Sequence, residues 1–309
     1  MIGREELIAM ISLLDDPDEF VVNTVKERLF SEGGSVLSSI EEIWFENQFP
    51  HLEKDISAIL KQISKKDLIE DLRGWWNQEN GDLLEGWWIV TRTRYPGLKL
   101  QQVKQQINEL RLECWYRMGN LHRKSDQLQV VNHVLYDLHR FKGNSENYHK
   151  PENSYINCVL DTHSGNPISL SVLYVLICQS LGLPIYGVNL PQHFVVALCE
   201  FDSESLPSTG IEQNLHIKNG LNAVIGEPLF YINPYNKGQI FSKENISSFL
   251  KVIGIEAHPD FYRPCNNKDI IKRMLRNLHF AYKQQEQNEE VELLEEMMVI
   301  CGMEDEFPN

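Results

Sequence analysis

Long apolar runs are missing from this sequence. A helix needs about 20 consecutive apolar residues to cross a membrane, and no uninterrupted apolar stretch among the 309 residues approaches that length. The first residues, Met1 to Glu6, lead into acidic, amphipathic sequence without the apolar stretch of a signal peptide. We therefore expect a cytoplasmic protein.

Basic residues are also scarce. Lys and Arg number 29 against 44 Asp and Glu, which gives a formal net charge of −15 at pH 7. A surface of this sign repels nucleic-acid phosphates and anionic lipid headgroups, so neither nucleic acid nor a membrane is an expected partner. Protein, peptide and small-molecule ligands remain, and the negative charge favours a basic or amphipathic partner.

Motifs that hold common cofactors and metals are absent. The six cysteines never occur in CxxC spacing or in the Cys/His spacing of a zinc site. The sequence also has no GxxxxGK[ST] loop, no GxGxxG after a strand and no HExxH. We therefore expect no cofactor, no metal and reduced, mostly buried thiols. These thiols belong to Cys114, Cys158, Cys178, Cys199, Cys265 and Cys301.

Helical periodicity dominates the first part of the chain. From Glu5 to about Arg140, apolar residues recur three or four positions apart, which is typical of amphipathic helices. An early break in this pattern, Asp15 to Glu19, predicts a new helix with Asp16 as N-cap and Pro17 as its first residue. This part is expected to be all-helical.

The pattern changes in the middle of the chain. Residues 168–181 are apolar on almost every face, which predicts a helix buried on most sides, with Asn166 as its N-cap and Pro167 in its first turn. A buried helix followed by antiparallel strands is an α+β core. The three predicted strands are Ile185 to Leu190, His193 to Phe201 and Ala223 to Ile232.

The end of the chain returns to helical periodicity. From Lys268 onward, apolar residues line one face of each of two successive helices, which predicts a helical hairpin. The predicted fold is α+β and mostly helical, with three regions. Residues 1–125 form a helical-repeat-like region, residues 126–262 the α+β core, and residues 263–309 the hairpin.

Ordered motifs between Phe141 and Gly238 closely resemble the SirB family of transglutaminase-like proteins. These proteins carry a helical region before the core and a tetratricopeptide-like hairpin after it. The resemblance therefore implies a transglutaminase/papain-like core and a tetratricopeptide-like character for the terminal hairpin. The motifs include Phe141-Lys142-Gly143-Asn144, Asn153-Ser154-Tyr155-Ile156-Asn157, Gly165-Asn166-Pro167-Ile168-Ser169-Leu170-Ser171, Leu181-Gly182-Leu183-Pro184, Pro191-Gln192-His193-Phe194 and Asn233-Pro234-Tyr235-Asn236.

The resemblance also implies a site. In the wider superfamily, a Cys at the N-terminus of the buried helix attacks an amide carbonyl, a His takes the proton, and an Asp or Asn orients the His. His193 matches the histidine, and Asn233 matches the third position, where relatives usually have Asp. An Asn can still fix the imidazole tautomer. The cysteine position falls at or very near Pro167, which has no nucleophilic atom.

These matches leave three hypotheses. The leading one is a non-catalytic, transglutaminase-like regulatory or scaffold protein that binds a protein or peptide partner. The enzyme alternative is a peptide or isopeptide amide hydrolase or acyltransferase, with Ser169 or Ser171 as nucleophile, His193 as base and Asn233 orienting it. The third is a small-ligand binder that keeps the cleft without turnover. All three predict hydrogen-bond distance between His193 and Asn233, because their strands are neighbours.

Overall fold

A computed structural model of the chain describes residues 2–46, 48–201 and 225–306. Contacts between residues divide the chain into two compact units, residues 1–74 and residues 75–309. The three-region division predicted from the sequence, with boundaries after residues 125 and 262, stays a prediction. No helix among the described residues is both long enough and apolar enough to span a bilayer.

The first unit is built from helices that share one apolar core. They are α1 (Arg4–Ser12), α2 (Glu19–Glu32), α3 (Leu37–Phe45) and most of α4 (Glu53–Asn77). Most of the periodic apolar residues of these helices are buried and the others are half-buried, as the spacing predicts. The core contains Leu7, Ile11, Leu14, Val25, Leu29, Val36, Ile40, Ile43, Leu52, Ile56, Ile59 and Ile63.

The start of α2 differs from the prediction. The helix begins at Glu19, and its N-cap is Asp18, whose carboxylate accepts a hydrogen bond from the backbone N–H of Phe20 at 2.9 Å. Asp16 instead accepts from the backbone N–H of Asp18 at 2.9 Å, in the turn before the helix. The predicted cap at Asp16 is wrong because its short side chain closes this turn, a role that competes with capping.

A central helix of the second unit, α9, begins at Pro167 and ends at Ser180. Most of its residues are buried, and Leu173 is only 1% exposed, so the prediction of a helix buried on most sides is confirmed. The other helices are α5 (Leu83–Arg92), α6 (Leu100–Met118), α7 (Lys124–Asn132), α8 (Ile156–Thr162), α10 (Lys243–Val252), α11 (Asn267–Gln284) and α12 (Asn288–Ile300). Of these, α5, α6, α8 and α11 pack against α9.

A four-stranded antiparallel sheet packs against α9. Its strands are β3 (Ile185–Leu190), β4 (His193–Phe201), β5 (Ile225–Asn233) and β6 (Gln239–Phe241), in that spatial order. Central helix α9 contacts β3 and β4. The predicted first and second strands agree with β3 and β4, and the third with β5, except that residues 223 and 224 lie outside the described residues. A separate pair, β1 (Lys142–Gly143) and β2 (Ser164–Gly165), is parallel.

The two last helices pack on each other, and α11 also packs on α5, α9 and β3. Leu275 and Leu278 of α11 are fully buried. Tyr282, near the end of this helix, shares a hydrogen bond of 2.5 Å between hydroxyl groups with Tyr155. Together with the buried α9 and its sheet, these helices confirm the predicted fold class, a mostly helical α+β fold. The tetratricopeptide-like character of the hairpin stays a prediction.

Candidate functional site

The start of the central helix is fixed by a capping box. Oδ1 of Asn166 accepts from the backbone N–H of Ser169 at 2.9 Å, and Oγ of Ser169 accepts from the backbone N–H of Asn166 at 3.0 Å. The predicted N-cap at Asn166 and first helical residue at Pro167 are therefore confirmed. A Cβ at Gly165 would lie 2.5 Å from Oγ of Ser169, so glycine at this position leaves room for the box to close.

A second contact ties the same cap to the preceding loop. Nδ2 of Asn166 donates to Oγ of Ser154 at 2.8 Å, and the carbonyl of Ser154 accepts from the indole N–H of Trp87 at 2.7 Å. All three residues are buried. The amide of Asn166 is thus used on both sides, once by the helix and once by the loop, and the helix start is held in one position.

A cavity of about 590 Å³ opens at this helix start. Pro167, at the position where the resemblance sets the nucleophile, lines the cavity together with His193 from the start of β4. The loop at residues 148–154 and helix α11 supply other parts of the wall. The fold therefore brings Pro167, which the resemblance puts at or very near the nucleophile position, and His193 to one cavity, and Pro167 offers no nucleophilic atom there.

His193 and Asn233 lie together at the sheet, as predicted. Nδ2 of Asn233 is 3.2 Å from Nε2 of His193. The orientation of the Asn233 amide is fixed at its oxygen. The backbone N–H of Asn236 donates to Oδ1 of Asn233 at 3.2 Å, and only the oxygen of the amide can accept this hydrogen bond. The NH2 group of Asn233 therefore faces the imidazole, and Nε2 of His193 accepts its hydrogen bond.

This orientation determines what the imidazole can do. In a catalytic triad, the orienting group accepts the N–H of one ring nitrogen and leaves the other nitrogen free to take a proton. Here Asn233 donates, so in the neutral ring the proton is on Nδ1. The nitrogen that would serve as the base already carries a proton, and His193 is left without the tautomer that proton abstraction requires.

The imidazole is also held in its neutral form. Burial lowers the pKa of His193 below the ordinary histidine value, and the positive charge of Arg273 lowers the pKa further. A hydrogen bond to Asn233 opposes this change only if the imidazolium donates to the amide oxygen. That oxygen is taken by the N–H of Asn236, so the neutral ring is favoured.

His193 also borders a second cavity, of about 500 Å³, on the side of Asn233. Phe249 of α10 and Phe241 of β6 contribute apolar wall to it, and the ring centroid of Phe249 is 6.4 Å from that of His193. The His193–Asn233 pair thus stands between two cavities, and only the first contains the start of α9.

The two candidate serines are not brought to His193. Ser169 is fully buried in the capping box, where its hydroxyl also lies 3.2 Å from the carbonyl of Asn166. Ser171 is fully buried as well, and its hydroxyl lies 3.5 Å from the carbonyl of Phe194. Across the described ranges, neither hydroxyl is hydrogen-bonded to His193, and neither residue lines the first cavity. This arrangement does not favour the serine alternative.

None of the six cysteines is an activated thiol. Burial raises the pKa of Cys114, Cys199 and Cys301 to about 12 and raises the pKa of the other three above the usual value. Cys158, which the sequence predicts to be a small buried apolar residue, is half-buried and hydrogen-bonded to the hydroxyl of Tyr95 at 3.1 Å. A nucleophilic thiol needs a lowered pKa, so these cysteines are structural. Within the described ranges, no cluster of three or more His, Cys, Asp or Glu is placed to hold a metal ion.

Sequence reasoning missed several residues of the cavity. Lys150, Ser154 and Arg273 all line it, yet Arg273 is 80 positions from His193 and belongs to the predicted terminal hairpin. Ser154 belongs to the motif Asn153-Ser154-Tyr155-Ile156-Asn157, and this is the signal by which the sequence could identify it. For Arg273 no local pattern distinguishes a cavity residue from a solvent-exposed one, since only the packing of α11 on α9 and β3 brings it there.

Comparisons with known proteins show which family contains this region of the chain. The family model described as transglutaminase-like superfamily matches residues 101–276, a range that contains α9, His193, Asn233 and Arg273. No solved structure matches the chain.

Three curated relatives illustrate the range of similarity. A UPF0162 protein of Xylella fastidiosa (strain Temecula1) is 28% identical over 204 residues, covering 63% of this chain and 62% of the relative. A UPF0162 protein of Vibrio cholerae is 23% identical over 208 residues, covering 66% and 68%. F-box only protein 21 of Homo sapiens is 30% identical over 175 residues, covering 57% of this chain but 25% of that protein. The chain thus spans less than two thirds of the first of these relatives.

Proposed function

Because this chain belongs to the transglutaminase-like superfamily, we propose that it is a SirB-type member that binds a protein or peptide partner and does not transfer or hydrolyse amides. The observation that carries the proposal is the pairing of Asn233 with His193. The amide donates to Nε2 at 3.2 Å, which leaves the proton on the nitrogen that would act as base.

The helix start supports the same proposal. The superfamily chemistry uses a thiolate stabilised at this N-terminus, and the resemblance puts Pro167, the first residue of α9, at or very near that position. Asn166 and Ser169 use their polar groups to hold the helix start, so the loss of the nucleophile is accompanied by a structural role for its neighbours. A cavity of about 590 Å³ is retained at this place, and such a cavity serves binding without needing a nucleophile.

The partner is a protein or peptide in this proposal, and the role is regulatory or that of a scaffold. The cavity wall includes α11 of the predicted tetratricopeptide-like hairpin, and helical hairpins of that kind offer grooves for peptide segments. A cytoplasmic location belongs to the same proposal, since the cysteines are free thiols.

An activity assay tests the absence of catalysis. The full chain is incubated with glutamine-containing peptides and an amine donor, and then with peptide and isopeptide substrates, beside His193→Ala and Ser169→Ala variants. We expect product formation at the level of the buffer control for all three proteins. Turnover by the unaltered chain that disappears in either variant would overturn the proposal and favour the serine alternative.

A pull-down from native lysate of the source cells tests the binding part. We expect captured protein with the unaltered chain and reduced capture with His193→Ala, because the substitution changes the cavity wall. Equal capture by both proteins contradicts a binding role for this cavity.

A further inference from the structure

The cavity at the start of α9 has a charge opposite to that of the whole chain. Lys150 and Arg273 line it, and none of its lining residues is Asp or Glu. The chain as a whole carries a formal net charge of −15. The net charge favours a basic partner for the surface at large, whereas the local charge of the cavity favours an anionic group.

Arg273 lacks a counter-ion. Its guanidinium is half-buried and donates to Oδ1 of Asn189 at 3.3 Å, and no carboxylate in the described part of the chain lies within ion-pair distance of it. Arg276, one turn further along α11, is paired with Glu306 at 2.5 Å. Burial, together with the charge of Arg276, lowers the pKa of Arg273. A half-buried cation without an opposite charge is unfavourable, and an anion entering the cavity would remove that cost.

Aromatic side chains lie beside these cations. Tyr148 and Phe280 line the cavity and are 41% and 51% exposed, so part of each ring is accessible to a ligand. The ring of His149 lies between them, with its centroid 5.1 Å from that of Tyr148 and 5.7 Å from that of Phe280. The cavity therefore offers apolar surface for a second group next to the place for an anion.

We infer that this cavity binds an acidic peptide segment of a protein partner, with the carboxylate of an Asp or Glu side chain held by Arg273 and Lys150 and a neighbouring apolar side chain packed on Tyr148 and Phe280. A guanidinium holds a carboxylate by two parallel hydrogen bonds, and the aromatic surface favours a peptide over a free anion. This inference rests on the proposed function and specifies the partner's binding segment as acidic with a neighbouring apolar side chain.

Selection from a random peptide library displayed on phage tests the inference. The full chain is compared with Arg273→Gln and with Arg276→Gln, a matched control on the same helix whose side chain does not line the cavity. We expect the unaltered chain and Arg276→Gln to enrich peptides with Asp or Glu at one fixed position beside an apolar residue. The Arg273→Gln variant should lose this enrichment.

Fluorescence anisotropy with one enriched, labelled peptide then measures the contribution of the charge. Replacing its acidic residue by the corresponding amide, or Arg273 by Gln, is expected to weaken binding about tenfold or more, as for a charge-assisted hydrogen bond. Lys150→Gln is the second variant, since Lys150 is exposed in a loop and its replacement leaves the core intact. Lys150→Gln should weaken peptide binding by a smaller factor than Arg273→Gln. Added salt should weaken the binding of the peptide further.

Several results would overturn the inference. They are enrichment of basic peptides, no common acidic position, equal binding by Arg273→Gln and Arg276→Gln, or full displacement of the peptide by millimolar acetate or inorganic phosphate, which would indicate a free anion as ligand. If peptides without an acidic residue bind the cavity, the proposed binding function is supported and the inferred recognition of an acidic side chain is contradicted. Amide turnover in the activity assay would instead remove the proposed function without changing the peptide preference.

Discussion

At the scale of single residues, the proposal that this site does not catalyse amide chemistry depends on the orientation of one amide, that of Asn233. The sequence predicts that His193 and Asn233 meet, because adjacent antiparallel strands bring their positions together. It does not predict which end of the amide faces the ring. That choice is made by the backbone N–H of Asn236 in the turn after β5, a contact that depends on the turn geometry and has no signature in the residue types.

Replacing Asn233 by Asp is expected to raise the pKa of His193. A carboxylate accepts from the imidazolium and stabilises its positive charge, whereas the amide donates to the neutral ring. The measurement is an NMR titration of the His193 imidazole in both proteins. Asn236→Asp is the control, because it adds the same charge three residues away. An equal rise in both variants would mean that the negative charge alone, and not its contact with Nε2, shifts the pKa.

The lowered pKa of His193 also predicts a pH dependence of stability. The folded chain binds this proton less readily than the unfolded chain, whose histidine pKa is about 6.5. The contribution of His193 to the free energy of unfolding is therefore fully present above about pH 6.5. It is lost as the pH falls toward the folded-state pKa, with a slope of at most about 1.4 kcal/mol per pH unit.

Urea unfolding at pH 7.5 and pH 5.5 measures this effect. The loss of free energy of unfolding between the two pH values should be smaller for His193→Gln than for the unaltered chain. His258→Gln, which changes an exposed histidine beside Asp260, should keep the loss of the unaltered chain. If His193→Gln keeps it too, the imidazole of His193 is not the group that titrates.

At the scale of elements, periodicity is enough where burial dictates the pattern. The predicted first and second strands coincide with β3 and β4, and the apolar stretch at residues 168–181 is the buried helix α9. Helix starts are less predictable. Asp16 and Asp18 both match a cap, and the turn between them decides that Asp18 caps α2, since either side chain satisfies the same sequence rule.

The asparagine caps of α9 and α11 differ in burial, and their replacement should differ in cost. Asn166 and Asn266 both form capping boxes, but only Asn166 is buried and also donates to Ser154. Asn266→Ala is expected to cost about 1 kcal/mol, as for an ordinary N-cap. Asn166→Ala should cost about 1–3 kcal/mol more, because the Ser154 hydroxyl loses its buried partner.

Denaturant unfolding of the two variants and the unaltered chain gives these differences. Equal costs for Asn166→Ala and Asn266→Ala would show that the contact between Asn166 and Ser154 contributes nothing to stability. The capping box alone would then stabilise the start of α9 that lines the cavity.

At the scale of the whole molecule, the sequence and the structure divide the chain differently. The sequence changes from purely helical to mixed patterning after about Arg140, and the predicted boundary of the α+β core lies shortly before that change, after residue 125. The contacts of the structure divide the chain at residue 74, within the last turn of α4. The residue pattern of a segment indicates which secondary structure it forms. A compact unit is defined instead by which elements pack on one another, and α5 and α6 pack on α9.

Two fragments distinguish these boundaries. A fragment of residues 75–309 keeps every element that packs on α9 in the second unit, so we expect it to unfold in one cooperative transition by circular dichroism and to stay monodisperse.

A fragment of residues 126–309 lacks α5 and α6. It loses the indole of Trp87, which is fully buried and holds the carbonyl of Ser154 at 2.7 Å, and it loses the contact of α6 with α9. Exposure of that apolar surface should cause aggregation or a non-cooperative transition. Cooperative folding of the shorter fragment would support the boundary at residue 125, and failure of the longer one would mean that residues 1–74 are needed for the second unit to fold.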